Sequence, residues 1–157
     1  MTDVNASIAA RALLEEFWDK KLPIDPREFA NNLGLEVVEA DLGFLSGYLD
    51  ESKKKIFVNS SELPVRQRFT IAHELGHYCL GHGSSHRNTT VPRWFTQDDP
   101  SKERDANQFA ADLLMPAIAV KALYDVMGIK DPRRLCELLG VSASALNIRL
   151  NNLGYFL

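Results

Sequence analysis

Between Ser7 and Lys20, apolar residues fall at Ala10, Leu13, Leu14, Phe17 and Trp18, the spacing of an amphipathic helix with one face on a core. Asp25-Pro26-Arg27-Glu28 then combines an N-cap, a first-turn proline and a capping-box acid, and predicts a short helix that stops at Gly34. The period changes after that. Residues 35–40, 44–50 and 55–59 are short β-rich runs between turn residues, and their short connections predict a small antiparallel sheet. Helical spacing returns near residues 61–64 and runs to Gly81 or Gly83. Residues 84–100 are polar and irregular, with Pro92, Trp94 and Phe95 inside them, and a loop of that length is usually a functional or mobile one. Four helices complete the chain: 102–115 stopped by Pro116, one through Val126, 131–139 closed by Gly140, and 142–152 closed by Gly154. The element order is that of an α+β fold, a small antiparallel sheet packed on helices, ending in a helix-turn-helix-like pair. It divides into a main domain at 1–127 and a C-terminal appendage at 128–157.

Composition narrows the setting. A chain of 157 residues fits one compact domain with at most a small appendage. Its 45% apolar and 25% charged content is ordinary, and a net charge of −3 gives no global attraction to nucleic acid or anionic membranes. The first twenty residues lack the cationic start and apolar run of a signal peptide, and no stretch approaches the roughly 20 apolar residues that span a bilayer. Cys79 and Cys136 are far apart and form no CxxC pair. A reducing cytoplasm is therefore the expected location.

The chemistry concentrates in Phe69-Thr70-Ile71-Ala72-His73-Glu74-Leu75-Gly76-His77. On a helix, His73 and His77 share a face and Glu74 lies beside them, as in zinc peptidases, where two neutral imidazoles hold the metal and the glutamate works on water. The competing reading is a chance match on a surface helix. Against it stand the apolar run before His73 and a second acidic segment downstream. Catalytic zinc commonly takes three protein ligands, and the helix containing Glu103-Arg104-Asp105-Ala106-Asn107 offers one. Glu103 and Asn107 share a face, whereas Asp105 is turned about 200° from Glu103. Glu103 is the expected ligand and Asn107 the hydrogen-bonder that orients a histidine. Cys79 points away from the ligand face and reads as a small core side chain. His82 lies about 180° from His73 if the helix continues, which gives it a structural or capping role. Tyr48, His82, His86 and Arg93 are alternative donors to a developing oxyanion.

Three runs together resemble the ImmA/IrrE family of metallopeptidases. They are Lys55-Ile56-Phe57-Val58-Asn59, Arg66 to His77, and Glu103-x-x-Ala106-Asn107-x-Phe109-Ala110-Ala111-x-Leu113-Leu114-Met115-Pro116. The likeness implies a zincin-like domain in which His73, His77 and Glu103 bind Zn²⁺ and Glu74 is the catalytic acid/base. Mn²⁺ or Fe²⁺ also suits such a donor set. Relatives often carry Glu where this chain has Asp105. The resemblance further implies a cytoplasmic bacterial or phage endopeptidase that cleaves a helix-turn-helix repressor. Narrow recognition of that kind could use residues 84–100 as a lid, with Trp94 or Phe95 as an apolar anchor, although Trp94 equally suits the core. One alternative is a toxin–antitoxin or regulatory binding component with little proteolysis. Another is a DNA reader built on residues 135–150, with Asn147, Arg149, Asn151 and Asn152 as contacts. Residues 128–157 carry four cations (Lys130, Arg133, Arg134, Arg149) against Asp131 and Glu137, and a net +2 offers few phosphate contacts. That favours packing or repressor recognition over DNA.

Overall fold

Three helices begin with the same two-residue device. Asp25, Asp99 and Asp131 each accept a hydrogen bond from a backbone amide two residues on, and Pro26, Pro100 and Pro132 supply the fixed φ of a first helical turn. The computed structural model describes residues 2–83, 85–87 and 99–155. Within them the helices are α1 (Thr2–Phe17), α2 (Pro26–Asn32), α3 (Pro64–Cys79), α4 (Pro100–Leu114), α5 (Ala117–Lys121), α6 (Pro132–Leu139) and α7 (Ala143–Asn152). A π-helical turn, Ala122–Val126, extends α5.

Four strands form one sheet, β1 (Glu36–Ala40), β2 (Gly47–Asp50), β3 (Lys55–Asn59) and β4 (Ser85–Arg87), in the order β1-β3-β2-β4. The class is α+β, as the element order implies, but the sheet is mixed rather than antiparallel. β2 pairs antiparallel with β3 and β4, whereas β1 runs parallel to β3, with Val37 opposite Ile56. The reason lies at the end of β3. Residues 41–46 do not turn back on β1; they cross the end of β3, where Asn59 Nδ2 donates to the carbonyls of Gly43 (3.1 Å) and Leu45 (2.8 Å). A short connection therefore carries the chain over one strand instead of into a hairpin. The second departure is β4, which lies inside the stretch read as an irregular loop.

Helix α3 is sandwiched between the sheet and α4, and small residues set both distances. A Cβ on Gly47 would sit 2.5 Å from Thr70 Cγ2 and 2.6 Å from the Phe57 carbonyl oxygen, so only glycine lets β2 approach α3 this closely. On the opposite side, a Cβ on Gly76 would lie 3.0 Å from the Phe109 ring. The core is continuous: Ile56 and Leu49 from the sheet join Leu75, Phe109 and Leu113, and the same cluster takes in Leu135, Leu139, Leu146 and Leu150 from the last two helices. Two arginines fasten that C-terminal pair. Arg68 Nε donates to Gly140 O (3.0 Å) while its other nitrogen reaches Ile24 O, and Arg149 Nε donates to Met115 O (2.9 Å). None of the helices among the described residues is long and apolar enough to cross a membrane.

Candidate metal centre

An acidic and two basic side chains meet between α3 and α4. His73 and His77 lie one turn apart on the buried face of α3, and Glu103 reaches them from the first turn of α4. The two Nε2 atoms are 3.2 Å apart; Glu103 Oε1 is 2.9 Å from His77 Nε2, and Oε2 is 3.0 Å from His73 Nε2. Four-coordinate zinc, with bonds of about 2.0–2.2 Å, holds neighbouring ligand atoms about 3.3–3.5 Å apart. The observed triangle is a few tenths of an ångström tighter, so an ion fits with a small outward adjustment. Among the described residues, this is the one group of three or more His, Cys, Asp or Glu side chains close enough to share a metal.

The hydrogen bonds behind the imidazoles explain why a cation suits the centre. His73 Nδ1–H donates to Asn107 Oδ1 at 2.8 Å. In a neutral ring that leaves a lone pair on Nε2, aimed at the carboxylate of Glu103. Such an arrangement is repulsive unless a proton or a metal ion lies between the atoms. Burial alone would raise the pKa of Glu103, but with protons on the imidazoles in place of an ion, hydrogen bonds from His73 and His77 and their charge outweigh it and bring the pKa down to about 2. The carboxylate is thus ionised at neutral pH and ready to meet a cation.

His82 occupies a place its sequence position did not suggest. Helix α3 ends at Cys79, and Gly81, at φ +71°, turns the chain back on itself. His82 N then donates to His77 O (2.9 Å), and its ring Nδ1 comes within 2.9 Å of His77 Nδ1. The argument from a continuing helix fails because the helix does not continue. Burial, followed by the charges of His77 and Lys102, holds the pKa of His82 below its ordinary value.

The remaining candidates separate clearly. Glu74 is fully buried on α3, next to His73. Asp105 is also buried, and its Oδ1 has no hydrogen-bond partner. Cys79 packs against the core, and burial pushes its thiol up to about 12, too high for a ready thiolate ligand. Tyr48 stacks on Phe57 with ring centroids 4.5 Å apart. His86 lies on β4 opposite Tyr48. Arg93, Trp94 and Phe95, and most of the expected lid, lie outside the described residues. Asn107 also lines a groove of about 510 Å³ with Phe69 of α3, Ala111 of α4 and Ile148 of α7. Arg149, offered by the sequence as a nucleic-acid contact, is 6% exposed and paired with Asp112 at 2.6 Å. It faces the core.

Known proteins resemble this chain over different extents. The chain is similar to the radiation response metalloprotease IrrE of Deinococcus radiodurans, 43% identical over 47 residues, which is 30% of this chain and 14% of that protein. Its fold is similar to that of a Mycobacterium tuberculosis transcriptional regulator, with a TM-score of 0.65 at 18% identity, over 94% of this chain and 47% of the other. The chain thus spans less than half the length of either relative. The Peptidase M78 family model, the IrrE N-terminal-like domain, matches residues 30–151, a stretch that holds both α3 and α4. By that match, the chain belongs to the IrrE N-terminal-like domain family, the ImmA/IrrE group of metallopeptidases.

Proposed function

We propose that the protein is a zinc-dependent endopeptidase acting on a protein substrate, with His73, His77 and Glu103 as metal ligands and Glu74 as the catalytic acid/base. The observation that carries this reading is the convergence of two imidazole nitrogens and an ionised carboxylate, 2.9–3.2 Å apart, with the fully buried Glu74 next to His73. Family membership supports it. An ion held by His73, His77 and Glu103 would supply Lewis acidity to water and to the scissile carbonyl. Glu74 takes a proton from the attacking water as the C–O bond forms, then delivers that proton to the departing amine as the C–N bond breaks. Asn107 keeps His73 turned so that Nε2, not Nδ1, faces the centre.

The substrate is proposed to be a helix-turn-helix repressor, which would make the protein an anti-repressor of a bacterial or phage stress or mobile-element system, working in the cytoplasm. The relative named a radiation response metalloprotease supports a role in a stress response. Residues 1–127 then form the peptidase domain and 128–157 an appendage for packing or repressor recognition. The burial of Arg149 supports that over DNA reading, since the exposed side chains of α7 (Ala143, Ser144, Asn147, Ile148, Asn151 and Asn152) carry no charge. The test is to mix the purified protein with a helix-turn-helix repressor encoded beside it and Zn²⁺, Mn²⁺ or Fe²⁺. Cleavage fragments should form with wild type and slow by at least about 100-fold with Glu74→Gln. A repressor that stays intact under all three metals contradicts the proposal.

A further inference from the structure

We propose that His82 is a positioning residue for the metal centre, the hydrogen-bond acceptor that fixes His77 in its metal-binding tautomer. This rests on the metal-centre reading above and assigns to it a residue outside the ligand set.

Each ligand imidazole must carry its proton on Nδ1 if Nε2 is to bind an ion, and that proton needs an acceptor. For His73 the acceptor is the Asn107 amide oxygen, which has no proton to give and so dictates the tautomer. His77 has a different partner. Its Nδ1 lies 2.9 Å from His82 Nδ1, and its Nε2 faces Glu103 and His73. Two neutral rings meeting Nδ1 to Nδ1 allow two arrangements. In one, His82 donates and His77 carries its proton on Nε2, directed at Glu103 Oε1. In the other, His77 donates from Nδ1, its Nε2 lone pair is exposed to an ion, and His82 holds its own proton on Nε2. Both contain the same number of protons. An ion on His77 Nε2 is compatible only with the second arrangement, in which His82 accepts, and the two arrangements differ in the direction of the His77–His82 hydrogen bond and not in net charge.

The backbone holds His82 ready for this. Its amide is bonded to the His77 carbonyl at 2.9 Å, so the two residues are tied through main chain and side chain together. The turn at Gly81 supplies the geometry.

Two variants and one spectrum test the proposal. His82→Phe keeps a ring of similar size but accepts no hydrogen bond; His82→Gln restores a side-chain oxygen. Zn²⁺ and Co²⁺ affinity is measured by chelator competition, with circular dichroism of the metal-free proteins as the folding control. The proposal expects His82→Phe to bind about 10–100-fold more weakly than wild type. His82→Gln should recover most of that loss. In the zinc-loaded wild type, imidazole ¹⁵N shifts should place the His77 proton on Nδ1 and the His82 proton on Nε2. Equal affinities for wild type and His82→Phe would overturn it, as would a proton on His82 Nδ1 in the loaded protein. A wild type that binds neither ion would instead sink the metal-centre reading itself, so the two failures are distinguishable.

Discussion

Glu103 is the side chain whose ionisation the centre depends on most. Its pKa is held at about 2 when folded, against about 4.3 for an unconstrained glutamate. A folded-state pKa below the unfolded value contributes stability that is fully present above about pH 4.3 and is lost as pH falls through about 2. In metal-free protein, urea unfolding should therefore show wild type losing stability relative to Glu103→Gln between pH 5 and pH 2. A constant difference across that range would mean that Glu103 is not held by the histidines. At this scale much of the candidate site was legible. Residues four apart on a helix share a face whatever the tertiary structure, and that relation alone pairs His73 with His77 and Glu103 with Asn107. His82 was not legible, because its position depends on where α3 stops and on a left-handed glycine, neither of which a helical wheel contains.

Between elements, one polar fastening centres on Asp112. It accepts from Ser7 Oγ of α1 (2.6 Å) and from Gln108 Nε2 (3.1 Å), and pairs with Arg149 of α7 (2.6 Å). Asp112 and Arg149 are both buried, so removing the carboxylate strands a guanidinium in the core. Asp112→Ala should lower the unfolding free energy by about 3–5 kcal/mol in a urea titration. A loss below about 1 kcal/mol would show that α7 does not depend on this contact. In sequence, Asp112 sits inside an apolar run and Arg149 is one of several scattered cations, so neither announces its partner. Helix starts were easier to see. The Asp-Pro device marks α2 and α6, and Asp99-Pro100 carries the same signal for α4, whose start was expected two residues later. The strand β4 gave no pattern to find: Ser85-His86-Arg87 is polar throughout and is a strand by virtue of its pairing with β2. The parallel placement of β1 was likewise hidden, because it depends on Asn59 capturing the 41–46 crossing.

Over the whole molecule, the polar chemistry is carried on a scaffold with a continuous core and a net charge of −3, which gives no global attraction to nucleic acid. The C-terminal pair has the rhythm of a DNA reader, yet it shares the core and spends Arg149 on internal fastening. Helix-turn-helix spacing in sequence reports two packed helices and a glycine turn, and only burial tells which face is left for a partner. What distinguishes this chain from an inert α+β scaffold is the cluster of His73, His77 and Glu103 where α3 meets α4. Metal content per chain, measured after purification and after saturation with Zn²⁺, tests that most directly. The account predicts a single tightly held divalent ion in wild type and in Glu74→Gln, and its loss in Glu103→Ala and His77→Ala. Absence of uptake by the wild type, or full occupancy after removal of Glu103, would contradict it.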